Sequence, residues 1–329
     1  MSGQLDLSTA PVLVFDPVRG NMLTTRAILH GVGFRRIEGV MNRAQLERRL
    51  KDPDISLLLI EAGDDVGRAV SLVRAIRLAE IEANPFVPVI CTLWNGNGDA
   101  VTELMNAGAD DVLLRPYSAA RLLERARWLI TNRQPFVVTS DYVGPDRARA
   151  ATDKAFAVEP FEVPNPLRDK ACGASSDPVA QQTALEAART RVDKERISKL
   201  ARRIAMAAEV TIQASGHAGA GTGFVIDLIE TSSELVKAAK RLKQDDVQDI
   251  AMVLEGVAAR TATPGPERAE HAQLTRQLAL ALHAAYAAEE TDRFQEDLDT
   301  TLGLVRSRLD RARERARKRV SLASLLQAS

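Results

Sequence analysis

Apolar residues in the first third of the chain come in short continuous runs, separated by longer stretches with a helical period. The first run, Pro11 to Phe15 (PVLVF), stops at Asp16. After it Met22, Ala27, Ile28 and Leu29 mark a helix that ends at Gly31 and Gly33. Arg36 to Val40 reads as a weak strand and Arg43 to Leu50 as a helix. Ile55 to Ile60 (ISLLLI) is the clearest buried strand, and it stops at Glu61. A helix over Val66 to Ala83, a strand over Val87 to Leu93 and a helix over Asp99 to Ala107 follow. A fifth strand, Val112 to Leu114, and a helix over Ala119 to Thr131 complete the series.

Strands apolar on both faces, alternating with amphipathic helices, predict a parallel sheet covered on both sides. In such a sheet functional groups collect at the carboxyl ends of the strands. Asp16, Glu61, Thr92 and Arg115 each stand at such an end, so they are expected to converge on one crevice.

These four positions are separated by 45, 31 and 23 residues. With the phrases VPVICTL and GADDVLLRPY, and with Pro116 after Arg115, residues 1–133 resemble a two-component response regulator receiver (CheY-like) domain. The resemblance implies a five-stranded, doubly wound, flavodoxin-like α/β fold. In that family the first strand ends in an acidic pair that holds Mg²⁺, and the third ends in the phosphorylated Asp. The fourth ends in Ser or Thr and the fifth in Lys-Pro. Asp16, Glu61, Thr92 and Arg115-Pro116 match those positions one by one.

The departures fall on the chemistry. Phe15 replaces one metal-holding acid, and Mg²⁺ demands near-octahedral oxygen ligation. No Mg²⁺ cofactor is therefore expected, and Asp16 is the ligand only if metal binding is retained. Glu61 carries one methylene more than Asp, which puts its carboxylate near where a phosphoryl oxygen would sit. Arg115 offers a planar fork suited to a carboxylate rather than a point charge. The expectation is a Glu61–Arg115 pair to which Thr92 donates a hydrogen bond: a degenerate phosphoacceptor site in a pseudo-receiver held in one state. Two other readings stand beside it. One is an unrelated α/β fold with polar strand ends; the other is a receiver that still accepts phosphate, on Glu61 or on Asp64 or Asp65.

Residues 134–180 read as a Pro-rich linker with turn signals and few periodic apolar positions. Two phrases in it, PFVVTSDYVGPDRA (Pro135–Ala148) and PFEVPNPLRDKA (Pro160–Ala171), resemble segments that follow receiver-like domains in bacterial signalling proteins. Physically the first is a turn with an aromatic anchor, expected to pack over the receiver or its dimer mate, with a docking motif as the alternative.

From Gln181 onward, apart from the break TATPGPE (Thr261–Glu267), the pattern is helical. Ile197, Leu200, Ile204, Ala207 and Thr211 recur every three or four residues, and so do Leu298, Leu302, Val305, Leu309, Ala312 and Ala316. Helices are also expected over Val225–Leu242, Asp246–Ala259 and Glu267 to about Glu290. Residues 181–329 thus read as an α-helical bundle or coiled-coil domain for oligomerisation or partner binding, with seams that can serve one subunit or two. The loop Gly216–Gly223 (GHAGAGTG) lacks the preceding strand and the Gly-Lys-Ser/Thr ending of a phosphate loop, so it reads as a helix joint. His217, His271 and His283 lack a phosphotransfer context and read as ordinary helix residues. Arg306 to Arg319 holds eight basic and two acidic side chains, a net of +6. It reads as a solvated or ion-paired face facing the acidic stretch Glu289–Asp299, with nucleic-acid binding as the minor alternative.

Composition narrows the function. Forty-four basic and forty-four acidic side chains cancel, so no global charge draws the 329-residue chain to nucleic acid or membrane. Cys91 reads as a core residue and Cys172 lies in a polar, Pro-containing stretch, and two such distant thiols fit neither a disulfide framework nor a zinc cluster. No signal peptide or bilayer-spanning run is visible, so a cytoplasmic protein is expected. No catalytic constellation emerges. The sequence points to a non-enzymatic signalling protein with protein partners, forming a homodimer; a phosphorylatable phosphorelay regulator, or a nucleic-acid-associated one, is the alternative.

Overall fold

A computed structural model of the chain describes residues 5–94, 96, 98–147, 159–173, 177–214, 222–263, 265 and 267–286. It divides into two compact units, Met1–Val192 and Asp193–Ser329.

The first unit is built on five parallel strands: β1 (Pro11–Phe15), β2 (Arg36–Val40), β3 (Leu57–Glu61), β4 (Val89–Leu93) and β5 (Asp111–Leu114). Helices α1 (Arg19–Gly31), α2 (Arg43–Leu50), α3 (Val66–Arg77), α4 (Gly98–Asn106) and α5 (Ala119–Thr131) connect and follow them. The strand order is β2-β1-β3-β4-β5, the doubly wound CheY-type arrangement whose switch point lies between β1 and β3. Register places Phe15 beside Ile60 and Glu61 beside Thr92, so the ends of β1, β3 and β4 lie level. Central strands β3 and β4 are buried along their whole length because both faces carry helices. Leu58, Ile60, Val89 and Cys91 pack on one side, and Leu57, Leu59 and Ile90 on the other. Asn42 and Ser118 cap α2 and α5 by accepting the N–H of Gln45 and Arg121, which fixes where those helices begin.

Helix α3 ends at Arg77, six residues before the end its composition predicts. Ala79 adopts a left-handed φ of 51°, which closes the last turn. The Arg77 guanidinium draws the next segment inward, donating to the carbonyls of Pro85 and Val87 at 2.6 and 2.8 Å. Tertiary hydrogen bonding here overrides helix propensity.

Residues 134–147 and 159–171, read from sequence as part of a linker, carry regular structure. Strands β6 (Phe136–Val138) and β7 (Val143–Pro145) form an antiparallel hairpin, Phe161 bridges to Phe136, and α6 (Pro166–Ala171) follows. Phe136, Val138, Val143 and Phe161 bury together with Phe86, which stands just ahead of β4. Leu167 and Ala171 bury against Leu7, Phe34 and Leu129. The segment therefore covers the amino-terminal edge of the sheet, away from Asp16 and Glu61. Within this unit Leu185 and Val192, from the first part of α7 (Pro178–Ala214), close the same apolar cluster.

A buried charge triad ties this strap down. Arg77 and Arg133 reach Asp110 from two sides, each at 2.7 Å. Asp110 also accepts the Val89 N–H at 2.7 Å. The Phe136 ring lies against both guanidiniums, 5.3 Å from Arg77 and 5.1 Å from Arg133. Burial pushes the Asp110 carboxyl up, but Arg133, Arg77 and that N–H outweigh it and hold it below the usual range. Burial lowers the Arg77 guanidinium to about 10 despite its partner.

The second unit contains the rest of α7 with α8 (Thr222–Leu242), α9 (Asp245–Arg260) and α10 (Glu267–Tyr286). Ile197, Leu200, Ile204 and Ala207 of the first predicted seam pack with Leu228, Leu235, Leu254 and Leu282, so that seam serves the core of this unit. Asp193–Arg241, Arg196–Glu234 and Arg203–Asp227 run in antiparallel order and set the α7–α8 register. His283 is buried with its Nδ1 2.8 Å from the Ser198 hydroxyl, while His271 is half-buried. Thr222 and Gly223 begin α8. The rest of the Gly216–Gly223 loop, His217, the acidic stretch Glu289–Asp299, the second seam from Leu298 and the basic run Arg306–Arg319 lie outside the described residues. No helix among the described residues is long and apolar enough to cross a membrane.

Candidate functional site

The structure brings Asp16, Glu61, Thr92 and Arg115 into one buried cluster at the carboxyl edge of β1, β3, β4 and β5. Arg115 is its hub. Its Nε donates to Glu61 Oε2 at 2.5 Å, and its Nη2 donates to Asp16 Oδ2 at 3.2 Å and to Thr25 Oγ1 at 3.0 Å. The Thr92 hydroxyl donates to the same Glu61 oxygen at 2.5 Å and lies 3.3 Å from Arg115 Nη2. The other Glu61 oxygen accepts the Gly63 N–H at 3.2 Å, in a loop where Gly63 holds φ 64°. Both carboxylate oxygens of Glu61 are therefore engaged by groups of its own chain.

Asp16 is fully buried and accepts the Val18 N–H at 2.9 Å at the start of α1. Burial raises its carboxyl above the usual range; the Val18 N–H opposes this, Glu61 adds to it and Arg115 opposes it. Two carboxylates thus share a single guanidinium. Pro116 follows Arg115 through a cis peptide. Asp64 and Asp65 sit in the exposed loop between β3 and α3, and Asp65 pairs with Arg68 at 2.9 Å.

Three members of the site escaped sequence reasoning. Thr25 lies on α1 between Met22 and Leu29, a polar residue inside an apolar stripe, and that interruption was its only signal. Its hydroxyl is 3.0 Å from that of Tyr117. Tyr117 and Trp94 flank the Arg115 guanidinium, with ring centroids 5.2 and 5.7 Å away. The aromatic faces favour the cation and limit its movement. Outside this flank an open groove of about 620 Å³ runs past Val101, Val112, Leu114, Tyr117 and Arg121.

The donor set does not fit a divalent cation. The Phe15 side chain supplies no oxygen, and the Asp16 and Glu61 carboxylate oxygens are taken by N–H and O–H donors. A guanidinium 3.2 Å from Asp16 places positive charge where a metal would bring more. Among the described residues no cluster of three or more His, Cys, Asp or Glu is placed to hold a metal ion. Cys91 lies in the sheet interior, where burial pushes its thiol up to about 12, so it stays a neutral core residue.

No known sequence family matches the chain, and no curated protein does. Among solved structures it is similar to a response regulator from Thermotoga maritima, 26% identical, covering 36% of this chain and 95% of that one at a TM-score of 0.33. A sensor histidine kinase receiver domain from Pseudomonas aeruginosa, with magnesium in its active-site cleft, is 24% identical over 35% of this chain and 95% of its own, TM-score 0.31. A CheY-like receiver domain protein from Methanospirillum hungatei is 20% identical over 36% and 92%, TM-score 0.32.

Proposed function

We propose that the first unit is a pseudo-receiver: a receiver fold that accepts no phosphate and is held in one state by its own Glu61. The observation that carries this is the engagement of both Glu61 oxygens, by Gly63 on one side and by Thr92 and Arg115 on the other. Glu61 stands at the residue where the resemblance expects the acceptor Asp, and its longer side chain brings negative charge to the hydroxyl and the cation that would otherwise meet a phosphoryl group. An attacking carboxylate must give up such partners, and buried charge-assisted hydrogen bonds are costly to break.

On this reading the protein works by binding rather than catalysis, in the cytoplasm, as a homodimeric two-component signalling protein. The receiver-like unit supplies a fixed surface and the helical unit the contact with protein partners. The domain limits of this reading are a receiver core over 1–133, the strap over 134–180 and the helical domain over 181–329, although Leu185 and Val192 at the start of α7 pack within the first compact unit.

Trp94 offers a direct test, since its ring lies beside Arg115. Titration of the full chain with Mg²⁺ and beryllofluoride, read by Trp94 fluorescence against a Trp94→Phe control, is expected to give no saturable change. A saturable, Mg²⁺-dependent change would overturn the reading.

A further inference from the structure

Helices α9 and α10 each expose large apolar side chains away from the bundle core. On α9, Ala251, Leu254 and Ala258 face inward, while Ile250, Met252 and Val253 are 36%, 55% and 55% exposed. A side chain at Gly256 would meet nothing within 4 Å, so that turn is open as well. On α10, Leu274 is 44% exposed. Val253 lies two turns before the end of α9, and Leu274 two turns after the start of α10. Antiparallel packing therefore sets them at one height. Exposed Asp246 and Asp249 lie one turn before Ile250 and Val253 on α9, and exposed Glu267 and Glu270 lie two turns and one turn before Leu274 on α10; none of them forms an ion pair among the described residues. Large exposed apolar side chains rimmed by charge mark a contact surface.

The chain itself supplies an occupant of matching chemistry. Residues 287–329 follow α10 directly. Within them Leu298, Leu302, Val305 and Leu309 recur at helical spacing, and Arg306 to Arg319 carries a net +6 against the acidic rim. The twelve residues from Leu298 to Leu309 would span about 18 Å as a helix, within the roughly 24 Å of α9. The short connection from Tyr286 also gives the segment a high effective concentration at this face.

We propose that the segment 298–319 docks on the α9–α10 strip of its own chain. Leu302 and Val305 cover Ile250, Val253 and Leu274, and the arginines meet the acidic rim. The basic run then completes the helical unit instead of serving as a nucleic-acid tail.

Cysteine pairing in the full-length chain tests this. In a Cys172→Ser background, with Cys91 buried, Val253→Cys is combined in turn with Leu298→Cys, Leu302→Cys, Val305→Cys and Leu309→Cys. Glu230→Cys, on the exposed side of α8, with Leu302→Cys is the control. After mild oxidation of dilute protein, at least one Val253 pair is expected to form an intrachain disulfide with about tenfold the yield of the control. Links only between chains would show a second copy on the strip, and no link above the control would show an open face; either result overturns the proposal.

Discussion

Arg115 donates its Nε–H to Glu61 Oε2 at 2.5 Å, with only 5% and 2% of the two side chains exposed. The same guanidinium is 3.2 Å from Asp16. One cation therefore compensates two buried carboxylates, and its loss leaves both without a positive partner.

Replacing Arg115 with Ala is accordingly expected to cost about 3–5 kcal/mol, the range for breaking a buried ion pair from one side. Arg115→Lys keeps a charge but loses the fork that reaches Glu61, Asp16 and Thr25 together, so its cost is expected to be smaller. Urea unfolding of both variants measures this. A loss below about 1 kcal/mol for Arg115→Ala, the scale of an exposed pair, would contradict the arrangement.

Phe136 packs edge-on to Phe86 at 5.8 Å and beneath two guanidiniums. Phe136→Ala is expected to destabilise the first unit by about 3–5 kcal/mol. A chain ending at Arg133 would expose Phe86 and the strap-covered edge, so it is expected to unfold at lower urea than the intact protein. Equal midpoints for the two would show that the strap is dispensable.

Two buried acids impose opposite pH dependences. Asp110 titrates below its unfolded value of about 3.9, so its contribution to stability is complete above that value and is lost as pH falls through the folded pKa. Asp16 titrates above its unfolded value, so between the two values the folded state holds the extra proton and stability falls as pH rises. Asp110→Asn is expected to lower stability at neutral pH and to flatten the acid limb below about pH 4. An unchanged acid limb would show that Asp110 does not drive it.

The strands and the four site residues were legible because each strand is a local apolar run and the site residues terminate those runs. Pro11–Phe15, Arg36–Val40, Arg43–Leu50 and Ala119–Thr131 have the bounds that their patterns predict. Less legible was what depends on distant partners. Arg77, Asp110 and Arg133 look like ordinary surface charges in sequence, and only the fold brings each arginine to 2.7 Å from Asp110. The hairpin strands of three residues each are too short to show alternation. Thr25, Trp94 and Tyr117 matter through Arg115, whose reach sequence spacing does not reveal.

The central claim is that Glu61, held by Thr92 and Arg115, takes no phosphate. Intact-mass analysis of the full chain after incubation with acetyl phosphate and Mg²⁺ tests it most directly, with Glu61→Asp in parallel. The account predicts the unmodified mass for the native protein, and for Glu61→Asp as well while Phe15 and Arg115 remain. A stoichiometric acyl-phosphate adduct on the native chain would contradict it; an adduct on Glu61→Asp alone would place the whole block on that one methylene.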